Sequence, residues 1–148
     1  MRRWMSALLV MMMLGTSTAW AGTWEQAEEG GWKYEEDGTY VTEWKQIDGI
    51  WYYMDTETGL WNPRPALSET AACHLLENAV NRAGWYAKET FPIHYEIYSK
   101  TANTYTIVLL METAPTEWSE TLNTFEVNRR TGKAKSVSTK LELDLYAY

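Results

Sequence analysis

Between Ser68 and Gly84 the apolar positions recur at helical spacing. Ala72, Leu75, Leu76, Ala79 and Ala83 form one stripe, with Cys73 and Val80 at its edge and His74 on the opposite face. Ser68 suits an N-cap, Glu69 suits the positive end of the helix dipole, and Gly84 suits the stop. Beyond this helix the period changes to two. "FPIHYEIYS" alternates Ile93, Tyr95 and Ile97 against His94, Glu96 and Tyr98. "TYTIVLLME" is apolar on both faces, which predicts a central strand. "TLNTFEVN" follows a loop containing Pro115. "NRRTG" then turns the chain into "KAKSVSTKLELDL", where Leu141, Leu143 and Leu145 alternate with polar residues. One helix followed by four strands predicts an α+β domain over 68–148, the helix packed on a four-stranded antiparallel sheet.

Residues 22–61 follow another rule. Their bulk is aromatic, and it repeats. Shifted by about twenty residues, Trp24 falls on Trp44; with one residue of slack, Trp32 falls on Trp51 and Tyr34 on Tyr53. In the second unit "WKQI" and "IWYYM" read as two strands joined by Asp48–Gly49, a dipeptide suited to a tight hairpin turn, and "DTETG" is the next turn. A lone hairpin is marginal in water, so stacking between successive hairpins must supply the burial. The fold class is therefore mainly β plus α+β: a short hairpin repeat, solenoid-like, and then the helix-and-sheet domain.

Charge supports this division. Residues 22–61 hold ten Asp and Glu against two Lys, whereas 62–148 are nearly balanced, with ten acidic and nine basic residues. The change falls in 62–67, at the Pro-containing "NPRPAL", which is the expected linker. Ahead of the repeats, Arg2 and Arg3 precede an apolar run of about ten residues from Ser6 to Gly15, too short to span a membrane, and a small-residue Ala19-x-Ala21 site. Residues 1–21 thus read as a signal peptide of a secreted chain, with no other segment apolar enough to cross a bilayer. The acidic balance argues against nucleic acid as a partner.

Candidate chemistry is sparse. Cys73 is the only cysteine, so an internal disulfide is excluded; it is expected to be a buried helix residue, the alternative being a thiol that bridges two chains. His74 and His94 are the only histidines, and no metal-ligand spacing is present. A Cys73–His94 nucleophile pair lacks any accompanying oxyanion-hole signal. His94 reads as a surface strand residue. Neither catalytic residues nor a cofactor or metal are expected.

The pattern W-K-x-x-D-G-x-W-Y-Y ending in T-G, seen from Trp44 to Gly59, resembles the cell-wall-binding repeats of the choline-binding and glucan-binding families of Gram-positive bacteria and their phages. The first unit is degenerate, with Lys33 where the second has Tyr52. The resemblance implies an aromatic box between neighbouring hairpins, made here by Trp24, Trp32 and either Trp51 or Tyr52. A second, incomplete box would begin with Trp44 and Trp51, with Trp61 as candidate for its missing wall. The implied partner is a cell-wall polymer, choline-bearing teichoic acid or a related glycan, leaving the sheet domain for a protein partner. The alternative is a self-packed spacer whose rings fill one another. Residues 68–148 resemble cystatin-like or nuclear-transport-factor-like shapes in element order alone, and "FEVNRRTGKA" is similar to hairpins of PepSY-type modules; no function follows from either.

Overall fold

The structure, a computed structural model, describes residues 22–86, 91–112 and 119–147. The signal-peptide assignment and the Pro115 loop lie outside these residues. The repeat region forms β1 (Thr23–Gln26), β2 (Trp32–Glu36), β3 (Thr39–Tyr40), β4 (Glu43–Ile47) and β5 (Ile50–Met54). The first unit pairs β1 with β2, placing Trp24 opposite Tyr34 and Gln26 opposite Trp32. The second pairs β4 with β5, placing Trp44 opposite Tyr53 and Gln46 opposite Trp51. The two registers are equivalent. The one residue of slack is the longer first loop, Ala27 to Gly31, against the Ile47–Ile50 pair and the two-residue turn of the second. Asp48 and Gly49 both have positive φ, 50° and 79°, the twist-matched hairpin turn that the dipeptide predicts.

The two hairpins close on a small core of Tyr34, Ile47 and Met54, with Trp24, Val41, Tyr52 and Trp61 around it. Two hairpins are too few to define a superhelix. Past β5, the Asp55 carboxylate accepts from the backbone of Glu57 and Thr58 and from the Thr58 hydroxyl, closing the "DTETG" turn. The chain then returns to the stack: Trp61 bridges to Met54, and its N–H donates to the Trp32 carbonyl at 2.7 Å.

Residues 62–67 are held rather than free. Tyr146 donates its hydroxyl to the Pro65 carbonyl at 2.8 Å, and Tyr105 donates to that of Leu67 at 3.2 Å. Helix α1 (Glu69–Arg82) follows, with Ser68 as N-cap accepting from the Ala71 N–H at 3.1 Å. It lies against an antiparallel sheet of β6 (Ile93–Lys100), β7 (Thr104–Glu112), β8 (Ser119–Asn128), β9 (Lys133–Ser136) and β10 (Glu142–Asp144), in the order β10-β9-β8-β7-β6. The core between them holds Leu75, Leu76, Ala79 and Val80 of the helix against Tyr105, Ile107, Leu109, Phe125, Val127, Ala134 and Leu145. Strand β7 is paired on both edges, as its two apolar faces predict.

The sheet has five strands, not the expected four. "KAKSVSTKLELDL" is broken after Ser136 and continues as β10. The Ser136 hydroxyl donates to Asn123 Oδ1 at 2.7 Å and accepts from the Thr139 N–H at 3.1 Å, and this buried polar knot turns the chain. Leaving either buried group unpaired would cost about 1–3 kcal/mol.

Candidate functional site

Four rings surround one surface cavity of about 330 Å³: Trp24 from β1, Trp32 from β2, Tyr52 from β5 and Trp61 from the segment after the second unit. Each is placed by pairing already described. Trp24 and Trp32 belong to facing strands of the first hairpin, and the Trp32 carbonyl holds the backbone of Trp61. Trp24, Tyr52 and Trp61 meet edge to face, with centroids 5.0 Å apart for Trp24–Tyr52, 6.2 Å for Trp24–Trp61 and 5.8 Å for Tyr52–Trp61. Tyr34, buried in the repeat core, meets Trp24 edge to face at 5.2 Å. Trp32 is 45% exposed and forms the outer wall. None of the lining side chains is charged. The two lysines of the repeats are engaged elsewhere, Lys33 with Glu29 at 3.3 Å and Lys45 with Glu36 at 2.5 Å.

The pleat separates Trp51 from Tyr52. Adjacent strand residues face opposite ways. Tyr52 turns to the cavity and Trp51 turns to helix α1. The Trp51 indole stacks on His74, and its Nε1–H donates to Glu77 Oε2 at 2.7 Å. Asn78 grips the Trp51 backbone twice, accepting from its N–H and donating to its carbonyl, both at 2.8 Å. Trp44 packs beside them, 4.9 Å from His74 and 5.2 Å from Tyr53. Trp44 thus sits with the sheet-domain core and Trp61 with the repeat core. The two do not come together, and α1 stands where a third hairpin would complete the second box.

This clamp is what the helix periodicity does not show. The face opposite the sheet is covered, and Asn78 is buried there. Burial holds His74 below its ordinary pKa, so its ring is neutral at neutral pH. The signal available was the presence of His74, Glu77 and Asn78 at spacings of three and four on one helix face.

Cys73 packs at the edge of the main core. Burial, with Glu69, Glu96 and Glu77 nearby, pushes its thiol up to about 11, which disfavours the thiolate a nucleophile needs. His94 is exposed on β6, its Nε2 lying 3.2 Å from Glu112 Oε1. Among the described residues, no group of three or more His, Cys, Asp or Glu is placed to hold a metal ion, and no helix is long and apolar enough to cross a membrane.

No curated protein and no solved structure matches the chain. Residues 42–57, which hold β4, the Asp48–Gly49 turn and β5, match the family model of the cell wall binding repeat.

Proposed function

We propose that the chain is a secreted, non-catalytic module that attaches to a Gram-positive cell wall. Its Trp24–Trp32–Tyr52–Trp61 cavity takes a quaternary ammonium group of a wall polymer, such as choline-bearing teichoic acid. The supporting observation is the cavity itself: four aromatic walls, from β1, β2, β5 and the segment after β5, around one uncharged space. A quaternary ammonium donates no hydrogen bond and is held by the negative faces of rings, at roughly 0.5–2 kcal/mol per contact. Such a site binds in about the millimolar range. A sugar would need partners for its hydroxyls, and these side chains offer only indole N–H groups and one phenol. The acidic repeats add weak attraction for a cation.

A second reading, a self-packed spacer with no ligand, draws on the second unit. There Trp44 and Trp51 are taken up by α1 and serve to fix the repeats to the sheet domain.

The test is a titration of the chain with choline chloride, following tryptophan fluorescence, with tetramethylammonium and ammonium chlorides as controls. Saturation by both quaternary cations, absent with ammonium and lost in Trp32→Ala, supports the cavity. A flat response up to tens of millimolar, about the upper limit for such a site, favours the spacer.

A further inference from the structure

Away from the aromatic cavity, the geometry points to a second binding site, for a phosphoryl oxyanion, at the end of the sheet that carries the "NRRTG" turn. There a cavity of about 690 Å³ is lined by Leu67, Ala102, Asn103, Asn128, Arg129 and Arg130. A second, of about 570 Å³, shares Leu67 and Arg129 and reaches Glu69 and Tyr105. Two turns build this place. The Asn128 carboxamide oxygen accepts from the N–H groups of Arg130 and Thr131, which folds the β8–β9 turn and leaves the Asn128 amide NH2 as a donor. The Arg129 N–H then donates to the Asn103 carbonyl at 2.9 Å, fastening that turn to the β6–β7 turn.

Arg129 is set in advance. Its guanidinium carbon lies 4.6 Å from the centre of the Tyr105 ring, and its Nη1–H donates to the Thr101 carbonyl at 2.6 Å. Tyr105 is itself buried and bonded to Leu67, so the stacking surface does not move. A guanidinium carries five N–H donors, and these contacts leave several for a ligand. Arg130 is exposed, and among the described residues its guanidinium meets no carboxylate.

Several lysines of the domain are held in ion pairs. Lys133 is paired with Asp144, Lys135 with Glu142, and Lys100 with Glu69. Glu69 is the one carboxylate lining either cavity, and Lys100 already neutralises it. Two adjacent arginines and two carboxamides thus line a polar cavity at which, among the described residues, the one carboxylate is Glu69, already paired with Lys100. Arginine forks and amide donors fit an anion with several oxygens in a tetrahedron, a phosphate monoester or diester. This site does not depend on the aromatic cavity for its reading.

The experiment is a titration of the full chain with sodium phosphate at constant ionic strength, following backbone amide and arginine Nε–H resonances, with sodium chloride as reference. Parallel arms use dimethyl phosphate and sodium acetate. The expected result is a saturable shift confined to Asn103, Asn128, Arg129 and Arg130, weakened about tenfold in Arg130→Gln by loss of one charge-assisted contact. Arg130→Gln removes an exposed side chain, so its spectrum otherwise stays that of the parent. Arg129→Lys, which keeps the charge and loses the fork, weakens binding as well. A dimethyl phosphate response identifies a polymer diester; a response to inorganic phosphate alone identifies a monoester or free phosphate. Equal shifts with chloride or with acetate overturn the proposal, as do shifts that Arg130→Gln leaves unchanged. Trp32→Ala leaves the phosphate response intact, so a failed choline titration and a failed phosphate titration are separate results.

Discussion

The imidazole of His74 lies nearly parallel to the indole of Trp51, with 3.7 Å between centroids and 19° between planes. Trp44 stands against its edge, and Glu77 holds the far side of the indole. Burial keeps the folded ring below its ordinary pKa of 6.5. The unfolded chain takes up this proton near that value, the folded chain only at lower pH. Below neutrality the unfolded state therefore binds more protons, and stability falls as pH falls through this window. Melting temperatures at about pH 7.5 and about pH 5.5 should show a larger loss for the parent than for His74→Gln. Equal losses would mean that His74 does not sense the interface.

Asn78 is the clamp of the same contact. Asn78→Ala strands both the N–H and the carbonyl of Trp51 in a half-buried place, at a cost of about 2–4 kcal/mol. Urea denaturation measures this directly. A loss below about 0.5 kcal/mol, the level of an ordinary surface change, would show that water replaces the carboxamide.

Trp24 and Trp32 were readable as neighbours because the repeat carries its own register, Gln26 facing Trp32 as Gln46 faces Trp51, whereas the sequence left Trp51 and Tyr52 as alternatives. Trp61 was read only as a candidate wall of the second box, since no third copy of the repeat follows Gly59 to set its period. Its place comes from backbone contacts with Met54 and Trp32. The role of Trp51 depended on a side chain 27 residues away, beyond any local pattern. The helix, the alternating faces of β6 and the central place of β7 were plain in the pattern of apolar residues. The division of the last strand was not, because an apolar/polar alternation persists across a turn that Asn123 and Ser136 make by burying their polar groups together.

The fourth wall can be separated from the helix contact by two substitutions. Trp61→Leu removes one ring from the cavity and should weaken choline binding about threefold to tenfold. Trp51→Phe keeps a ring on His74 but loses the bond to Glu77; it should lower stability and leave the choline constant unchanged. If instead Trp51→Phe weakens choline binding and Trp61→Leu does not, the ligand sits against the helix and the cavity assignment fails.

Cys73 provides a kinetic test of the main core. Its thiol is pushed from 9.0 up to about 11 by burial first and by Glu69, Glu96 and Glu77 next. Only the thiolate is alkylated, so iodoacetamide at about pH 8 should react roughly a hundredfold faster with the urea-unfolded chain than with the folded one. A folded-state rate near that of the unfolded chain would indicate an activated thiol and reopen a nucleophilic role.

Gly132 and Gly49 share a left-handed backbone, φ 71° and 79°, and differ in surroundings. A Cβ at Gly49 meets nothing within 4 Å, whereas one at Gly132 meets Cδ2 and Cε2 of Tyr146 at 2.7 Å. Tyr146 cannot yield freely, because its hydroxyl holds the linker at Pro65. Gly49→Ala should therefore cost backbone strain alone, about 1–2 kcal/mol. Gly132→Ala adds a steric penalty of about 1–3 kcal/mol. The added part resides in one contact, so Tyr146→Ala in the Gly132→Ala background should remove it, and a double-mutant cycle by urea denaturation should return a coupling of about that size. Purely additive costs would show that the Gly132 turn and the Tyr146–Pro65 tether are independent.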